Sequence, residues 1–255
     1  MSKRLENKVA IVTGGAHGIG KAYALGLAKA GASIVIADLD EKAAKNVAQI
    51  IEDSGGKALS VLTDVSSKES TLEMAKKAGD CFGRIDILIN NAAMFAQVNM
   101  SRVGFMDIKE AEWDRMMAIN IKGPWLCSQA VFPYMKEQRS GKIINISSST
   151  IFGSPKRAHY VASKAALLGL TRTMAREVGE HGININTVCP GSTVTDDLDD
   201  PEENQRRKQG GGGNRALKRL EDPEDLVGTI VFLSSNESDF ITGQTIVVDG
   251  GGNMI

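Results

Sequence analysis

The chain is poor in cysteine, in aromatic residues and in long apolar runs, and each shortage excludes a class of protein. Its 255 residues include three cysteines, and 5% of the residues are aromatic. Cys81, Cys127 and Cys189 are odd in number, far apart and form no C-x-x-C pair, which argues against a disulfide framework or a zinc site. The three histidines are equally scattered. We therefore expect no metal and a reducing, cytoplasmic compartment.

Membrane and nucleic-acid functions also lack their usual signals. No run of 18 apolar residues occurs, so we expect no membrane span. Residues 1–12 lack the apolar core and cleavage site of a secretory peptide. With 30 basic and 31 acidic residues the net charge is −1, so no basic footprint for nucleic acid or for a membrane surface is present. These absences favour a small-molecule partner.

What the chain does contain is a regular alternation of short apolar runs and helical patterns. Strands are predicted over 8–13, 33–38, 58–65, 85–91, 141–148, 182–191 and 244–251, and helices over 21–31, 41–55, 66–83, 110–138 and 158–179. The strands are continuous apolar runs, as in a parallel sheet covered on both faces. Right-handed crossovers then give an α/β fold with a doubly wound parallel sheet. Because no linker or repeat divides the chain, we expect one domain over 1–255.

One polar, glycine-rich segment, residues 192–218, interrupts this regularity. A loop of this length inside a compact domain is usually functional. The four consecutive glycines Gly210 to Gly213 would form a flexible joint. We expect a substrate lid, and a tolerated surface insertion, natural or engineered, is the alternative.

Residues 13–20, "TGGAHGIG", follow the first strand and open the first helix. A helix N-terminus offers N–H groups and a positive dipole end, and glycines let a pyrophosphate approach. The spacing is G-x-x-x-G-x-G rather than the common G-x-G-x-x-G. The loop residues that we assign to cofactor binding are Gly14, His17, Gly18, Ile19 and Gly20.

Asp38 ends the second predicted strand, 18 residues after Gly20. A carboxylate at this place can accept hydrogen bonds from the adenosine ribose. A 2′-phosphate would meet a like charge, at a cost of ~4 kcal/mol for a pair about 4 Å apart at an effective dielectric of about 20, before screening. Asp38 therefore predicts NAD rather than NADP, and a helix-capping or loop acid is the alternative.

Tyr160 and Lys164 are four residues apart on the predicted helix 158–179, so they share one face. The pair is either a half-buried tyrosine beside a solvated lysine or an acid–base pair. A free phenol has a pKa near ~10 and is a poor base at neutral pH. An adjacent ammonium and the positive nicotinamide of NAD⁺ would both favour the phenolate and lower its pKa.

These motifs, together with several others, resemble the short-chain dehydrogenase/reductase family in the family's order and over essentially the whole chain. The further motifs are "DV" (64–65), "NNAA" (90–93), "NIKG" (120–123), "NISSS" (145–149), "YVASK" (160–164), "PGSTVT" (190–195) and "GQTIVVDGG" (243–251). The resemblance implies a Rossmann fold, a nicotinamide cofactor and a homotetramer.

The resemblance also implies residue roles. It implies catalysis by Asn120, Ser148, Tyr160 and Lys164. It further implies cofactor contacts through Asp64 and Val65 at the adenine, Asn91 along the ribose, and Thr193 and Thr195 near the nicotinamide amide.

Two departures from the family pattern bear on the site. Position 93 is alanine where the family usually has glycine, which should shift packing beside the cofactor slightly. The family serine stands thirteen residues before the tyrosine, a count that Ser147 meets, whereas Ser148 is twelve residues away. Counting along the strand from Gly141 selects Ser148. Because a slip of one residue in a strand reverses the side chain and loops absorb deletions, we choose Ser148.

The predicted function is NAD-dependent hydride transfer between nicotinamide and a secondary alcohol or ketone, with Tyr160 as general acid/base. No arginine or lysine is placed to clamp an anionic substrate, so we expect a neutral, partly apolar one. A 3-oxoacyl thioester reductase of the same family is an alternative, although it would normally require NADPH, which Asp38 opposes. A non-catalytic NAD-binding regulator is a third possibility.

Overall fold

The computed structural model describes residues 4–95, 100–195 and 213–254. Within these ranges, the strands form one seven-stranded parallel sheet in the order β3-β2-β1-β4-β5-β6-β7. The strands are β1 (Val9–Thr13), β2 (Ser33–Asp38), β3 (Ala58–Leu62), β4 (Ile87–Asn90), β5 (Gly141–Ile146), β6 (Ile183–Pro190) and β7 (Thr245–Val248). The predicted α/β fold with a doubly wound parallel sheet is confirmed.

Helices cover both faces of this sheet. They are α1 (Gly18–Lys29), α2 (Glu41–Asp53), α3 (Lys68–Phe82), α4 (Glu110–Met117), α5 (Gly123–Gln138), α6 (Ala158–Val178) and α7 (Pro223–Ser234). A π-helical turn, Ala118–Lys122, joins α4 to α5, and short 3-10 turns lie at Phe105–Asp107, Ser149–Phe152, Gly179–His181 and Asn236–Ser238.

Two apolar layers sandwich the sheet, and β1 shows how. Ala10 and Val12 face the cluster that includes α1, α2 and α7, whereas Val9 and Ile11 face the cluster that includes α3 and α5. Both faces of the strand are therefore buried. This explains why the strands appear in the sequence as continuous apolar runs without alternation.

The strand order reverses between β1 and β4, which lie side by side although β2 and β3 separate them in the chain. In open parallel sheets, ligands bind in the crevice outside the carboxyl ends of the strands at such a point. The loop after β1 and the loop after β4 both open into this crevice. The topology therefore gathers the predicted motifs at one edge of the sheet.

The N-cap of α3 lies one residue after the start of the predicted helix 66–83. Ser66 and Glu69 have the S-x-x-E spacing of a capping box, but Ser67 is the N-cap and accepts from the N–H of Ser70 at 3.2 Å. Ser66 instead donates both its N–H and its hydroxyl to Asp64 Oδ1, at 2.9 and 2.7 Å. This local turn uses the Ser66 side chain and moves the cap onward.

The long helix predicted over 110–138 is divided by the π-helical turn, and one helix was not predicted at all. That helix, α7, has a capping box between Asp222 and Asp225, with Pro223 in its first turn. The sequence carries this signal, since proline in the first turn after a capping acid marks a helix start.

No helix in the described part of the chain is long and apolar enough to cross a membrane. Of the predicted lid segment 192–218, residues 196–212 lie outside the described residues, so Gly210 to Gly212 do as well. Its two ends, 192–195 and 213–218, are described.

Candidate active site

A cleft of about 750 Å³ lies at the carboxyl end of the sheet. This volume suits a small-molecule or cofactor site. All the predicted site residues except Asn120 line it: Gly14, His17, Gly18, Ile19, Gly20, Asp38, Asp64, Val65, Asn91, Ser148, Tyr160, Lys164, Thr193 and Thr195. The structure therefore brings together residues from five loops, the end of β2 and two helices.

The glycine loop packs tightly against the start of α1. Gly14 and Gly18 have φ angles of 61° and 49°, which glycine adopts without strain. A Cβ at Gly20 would overlap the carbonyl oxygen of Gly14. The N-cap residue His17 makes no side-chain cap to α1. The helix N-terminus thus presents backbone to the cleft, which fits the pyrophosphate of a dinucleotide.

Asp38 accepts hydrogen bonds from the turns that follow β1 and β2. Its Oδ2 accepts from the N–H of Ala16 and its Oδ1 from the N–H of Asp40, both at 3.0 Å. His17 Nε2 lies 3.0 Å from Asp40 Oδ2. Asp38 is therefore a loop-stabilising acid and also a lining residue, so the two interpretations of it are compatible.

Asp64, Val65 and Asn91 complete the predicted adenosine side. Asp64 lines the cleft beyond Asp38, and Val65 is buried beside it. Asn91 Nδ2 donates to the carbonyl oxygens of Thr13 and Gly14, at 3.1 and 2.9 Å. These bonds fix the glycine loop to the end of β4.

Tyr160 and Lys164 are both buried on the same face of α6, at the other end of the cleft. Lys164 Nζ lies 5.8 Å from the centroid of the Tyr160 ring and donates to the carbonyl oxygen of Ile146 at 2.8 Å. Burial lowers the pKa of Lys164 to about 8. Within the described ranges no carboxylate lies within ion-pair distance of it. The solvated-lysine interpretation is therefore wrong.

The two candidate serines have different partners. Ser147 Oγ donates to the backbone carbonyl of Lys164 at 2.7 Å and so supports α6. Ser148 Oγ accepts from the N–H and the hydroxyl of Thr150, at 3.2 and 3.0 Å. Neither of these bonds uses the Ser148 hydroxyl hydrogen, which can still be donated into the cleft. The arrangement supports the choice of Ser148, which stays a prediction.

Asn120 lies beneath the cleft, fully buried in the π-helical turn. Its Oδ1 accepts from the N–H of Met94 at 2.8 Å, and its Nδ2 donates to Ser163 Oγ and to Met116 Sδ, both at 3.0 Å. Isolated π-helical turns occur frequently at functional sites. Asn120 thus connects the loop after β4 to α6 at Ser163, the residue directly before Lys164.

Two apolar side chains from the loop after β4 pack near Tyr160. The ring of Phe95 lies 5.2 Å from that of Tyr160, and Met94 packs in the same buried cluster. Phe105 and Met106 are exposed and do not line the cleft.

Two residues at the site were missed by the sequence analysis. Arg157, three residues before Tyr160, lines the cleft. Glu221 accepts from the hydroxyl of Thr193 at 2.7 Å and lies under the loop after β6. Proximity to Tyr160 could have pointed to Arg157. No local pattern points to Glu221, because its contacts come from residues 28 and more positions away.

Among the described residues, no group of three or more His, Cys, Asp or Glu side chains could hold a metal ion. The three cysteines are unpaired, and Cys127 and Cys189 are buried.

Comparisons with known proteins match this geometry over nearly the full length of the chain. A family model described as enoyl-(acyl carrier protein) reductase matches residues 14–253. A (2S)-[(R)-hydroxy(phenyl)methyl]succinyl-CoA dehydrogenase subunit of Thauera aromatica is 37% identical over 251 residues, 98% of each chain. A 3-oxoacyl-[acyl-carrier-protein] reductase of Staphylococcus epidermidis is 39% identical over 247 residues, 96% of this chain and 98% of the relative. A crystal structure of a short-chain type dehydrogenase/reductase from Mycobacterium marinum has a TM-score of 0.90 and 33% identity, covering 99% of this chain and 98% of that one.

Proposed function

Because the chain is a member of the short-chain dehydrogenase/reductase family, we propose that it is an NAD-preferring oxidoreductase acting on a secondary alcohol or its ketone. One observation carries this proposal. The same cleft is lined by Tyr160, by a glycine loop at a helix N-terminus and by Lys164. This lysine is a buried cation with no carboxylate partner among the described residues. A buried cation of this kind is a candidate for function, since a purely structural charge is normally paired.

The proposed chemistry assigns one task to each side chain. Tyr160 accepts the proton of the alcohol hydroxyl, or donates a proton to the carbonyl oxygen in the reverse direction. Lys164, 5.8 Å from the ring, supplies positive charge that favours the phenolate. Ser148 hydrogen-bonds the substrate oxygen and orients it. The nicotinamide, when bound, supplies or accepts the hydride.

The residues present fit a dinucleotide along the length of the cleft. Gly14, Gly18 and Gly20 would accommodate the pyrophosphate, and Asp64 and Val65 would flank the adenine. Asn91 would lie along the ribose, while Thr193 and Thr195 would hold the nicotinamide amide. The start of α1, which has no side-chain cap, and the left-handed backbone of Gly14 and Gly18 support this assignment.

The preference for NAD is supported by the charge at the adenosine end. Asp38, Asp40 and Asp64 line this end, and His17 is already paired with Asp40. A phosphate on the ribose would be repelled by these carboxylates, by on the order of 1 kcal/mol per pair after screening. The ribose hydroxyls of NAD would instead find acceptors there.

The direct test is an NADH-formation screen over diverse secondary alcohols, with Tyr160→Phe as the blank. This variant keeps the ring and removes the proton carrier, so turnover should fall ~10²-fold or more while NAD binding is nearly unchanged. Turnover close to that of the wild type would refute the assignment. Tight NAD binding with no turnover on any alcohol would favour a non-catalytic regulator.

A second candidate function, reduction of a 3-oxoacyl thioester, is favoured by Arg157. This arginine, three residues before Tyr160, adds a cation to the lining of the cleft, which also includes Thr150 and Ser154. An anionic group on the substrate would complement it, as in an acyl chain carried on a phosphorylated thiol. Two of the relatives described above are named for acyl thioester substrates.

Acetoacetyl-CoA reduction separates the two functions. If the thioester is the substrate, its kcat/KM should exceed that of simple ketones, and Arg157→Gln should raise KM for the thioester more than for a neutral ketone. Equal values for both substrate types would favour the simple alcohol. NADH and NADPH should be compared in the same assay.

We also propose a homotetramer that works in the cytoplasm. Trp113 on α4 and Trp125 on α5 are partly exposed, and Phe240 is fully exposed, as expected of side chains that an interface covers. The unpaired cysteines suit a reducing compartment. Sedimentation of the purified protein would measure the assembly, and a monomer would exclude it.

A further inference from the structure

The loop that follows β6 is fastened to Glu221 by its own backbone and side chains. Glu221 Oε1 accepts from the N–H of Gly191 at 3.1 Å and from the hydroxyl of Thr193 at 2.7 Å. The N–H of Val194 donates to the Glu221 carbonyl oxygen at 2.9 Å, and Thr193 pairs with Glu221 as an isolated parallel bridge. A single residue therefore makes three hydrogen bonds to three residues of the four-residue loop Gly191–Val194.

The Glu221 side chain is buried under this loop, with 5% of the residue exposed. A Cβ at Gly191 would lie 2.5 Å from Glu221 Oε2, so the loop can lie flat on the carboxyl group only with glycine there. Oε2 is buried and has no hydrogen-bond partner in the part of the chain that the structure describes. Burying a carboxyl group with one unsatisfied oxygen is costly, so a purely structural explanation accounts for it poorly.

Charged residues of both signs act on the carboxyl group of Glu221. Burial raises the pKa of Glu221, and the nearby Asp249 acts in the same direction, whereas Arg215 acts against both. Arg215 also donates to the carbonyl oxygen of Ser192 at 2.7 Å, so it fastens the same loop from the other side. Burial raises the pKa of the Tyr23 hydroxyl on α1, and the charge of Glu221 acts in the same direction.

We propose that Glu221 is a positioning residue that fixes the loop Gly191–Val194 and thereby sets the affinity for the nicotinamide half of the cofactor. The proposal rests on the proposed function, which puts the nicotinamide amide beside this loop. Gly191, Ser192 and Thr193 all line the cleft at its catalytic end. The adenosine half would be held by Asp38 and Asp64 at the other end, where Glu221 makes no contact.

This division gives the proposal a readout other than activity. ADP-ribose carries the adenosine and pyrophosphate of the cofactor but no nicotinamide. Glu221→Ala removes the acceptor of two loop hydrogen bonds and should weaken NADH binding about tenfold. ADP-ribose binding should stay within about twofold, because the glycine loop and Asp38 are unchanged. Both dissociation constants can be measured by titration calorimetry.

Two further variants separate positioning from folding. Glu221→Gln keeps an acceptor oxygen of the same shape and should leave the NADH affinity within about twofold of the wild type. Thr193→Val removes the hydroxyl that donates to Glu221, and its effect should be smaller than additive with that of Glu221→Ala. Glu224→Ala, an exposed acid nearby in the sequence, is the matched control and should change neither affinity.

The outcomes distinguish failure of this inference from failure of the proposed function. A Glu221→Ala variant that weakens NADH and ADP-ribose equally, or neither, overturns the positioning role. If Glu221→Ala does not fold, a Glu221→Gln variant that loses NADH affinity tenfold would also overturn it, because the acceptor is still present. A folded wild-type protein that binds ADP-ribose but not NADH would instead remove the proposed function itself.

Discussion

Two buried lysines lie at opposite ends of strand β5, and their surroundings differ. Lys142, near the start of the strand, is 7% exposed and donates to Asp239 at 2.7 Å, to Asn184 at 2.9 Å and to Ser238 at 3.4 Å. Lys164, on α6, is 3% exposed and donates to the carbonyl of the last residue of the strand, Ile146. Lys142 has a carboxylate partner, and Lys164 has none within residues 4–95, 100–195 and 213–254.

We interpret the paired charge of Lys142 as structural and propose that the charge of Lys164 is functional. At the amino ends of the strands, buried charges are paired, and Asp86 repeats the pattern with Arg84 and Lys8. At the carboxyl ends, Lys164 has its pKa lowered to about 8 because burial is not offset by a counterion. We propose that the protein tolerates that cost because the positive charge of Lys164 serves the proposed chemistry.

The largest effect should come from replacing the unpaired lysine. Lys164→Met keeps the volume of the side chain and removes the cation beside Tyr160, so turnover should fall ~10²- to 10⁴-fold. Steady-state kinetics with the best alcohol measures it. Turnover near the wild-type value would mean that Lys164, like Lys142, has only a structural role. The proposed difference between the two lysines would then be wrong.

The same variant should change how stability depends on pH. The folded-state pKa of Lys164, about 8, is below its usual value of 10.5. The unfolded chain therefore holds the proton more tightly, and the wild type gains stability as pH rises from about 8 toward 10.5. Thermal melts of Lys164→Met should lack this rise. The melting temperature of the variant should therefore be highest, relative to that of the wild type, below pH 8. A constant difference across this range would argue against a cation strained by burial.

Ser148→Ala should produce the next largest effect at the same end of the sheet. Loss of the hydroxyl that orients the substrate oxygen should reduce turnover by roughly 10²-fold. Ser147→Ala is the matched control, and it should mainly destabilise the fold, by ~1 kcal/mol, because the carbonyl of Lys164 loses a donor. The reverse order of the two losses in activity would assign the catalytic role to Ser147.

At the opposite end, Asp239→Ala should affect stability and leave catalysis intact. The substitution leaves Lys142 buried without its counterion, although Asn184 and Ser238 still accept from it. Because Asp239 itself is largely exposed, the cost should be ~1 kcal/mol, with a decrease in melting temperature of roughly 2–4 °C. A decrease in kcat with no change in melting temperature would contradict the structural role.

The smallest effect should appear in cofactor choice. Asp38→Asn keeps an acceptor oxygen near the ribose and removes the charge, so the ratio of kcat/KM with NAD to that with NADP should narrow several-fold. Kinetics with both cofactors measures the ratio. Glu41→Gln, a fully exposed acid on α2, serves as the charge control. An unchanged ratio in Asp38→Asn would contradict the role of Asp38 in selecting NAD over NADP.

Much of the fold and part of the site could be predicted from local patterns. The seven strands lie within their predicted ranges, because each is a continuous apolar run bounded by turn residues. The glycine loop, Asp38 and the spacing of Tyr160 and Lys164 could also be predicted, because each is a pattern of residues close together in the sequence. The helix α7 could also have been found from Asp222, Pro223 and Asp225.

Other features depended on contacts that no local pattern carries. Counting along the strand selected Ser148, and only the structure shows the different partners of Ser147 and Ser148, on α6 and in the following turn. The neutral substrate expected from the sequence overlooked Arg157. Its position three residues before Tyr160 was a signal, but only the structure shows that it lines the cleft.

By itself, the sequence determined the order of strands and helices, the parallel sheet and the motif set, because apolar periodicity and turn chemistry act over a few residues. Only the tertiary structure decided which buried lysine has a counterion and which carboxyl group holds the loop after β6. The carboxylate that pairs with Lys142 is 97 residues away, and Glu221 is 28 residues from Thr193. Burial and pairing of charge are set by the folded environment, so residue type and spacing cannot reveal them.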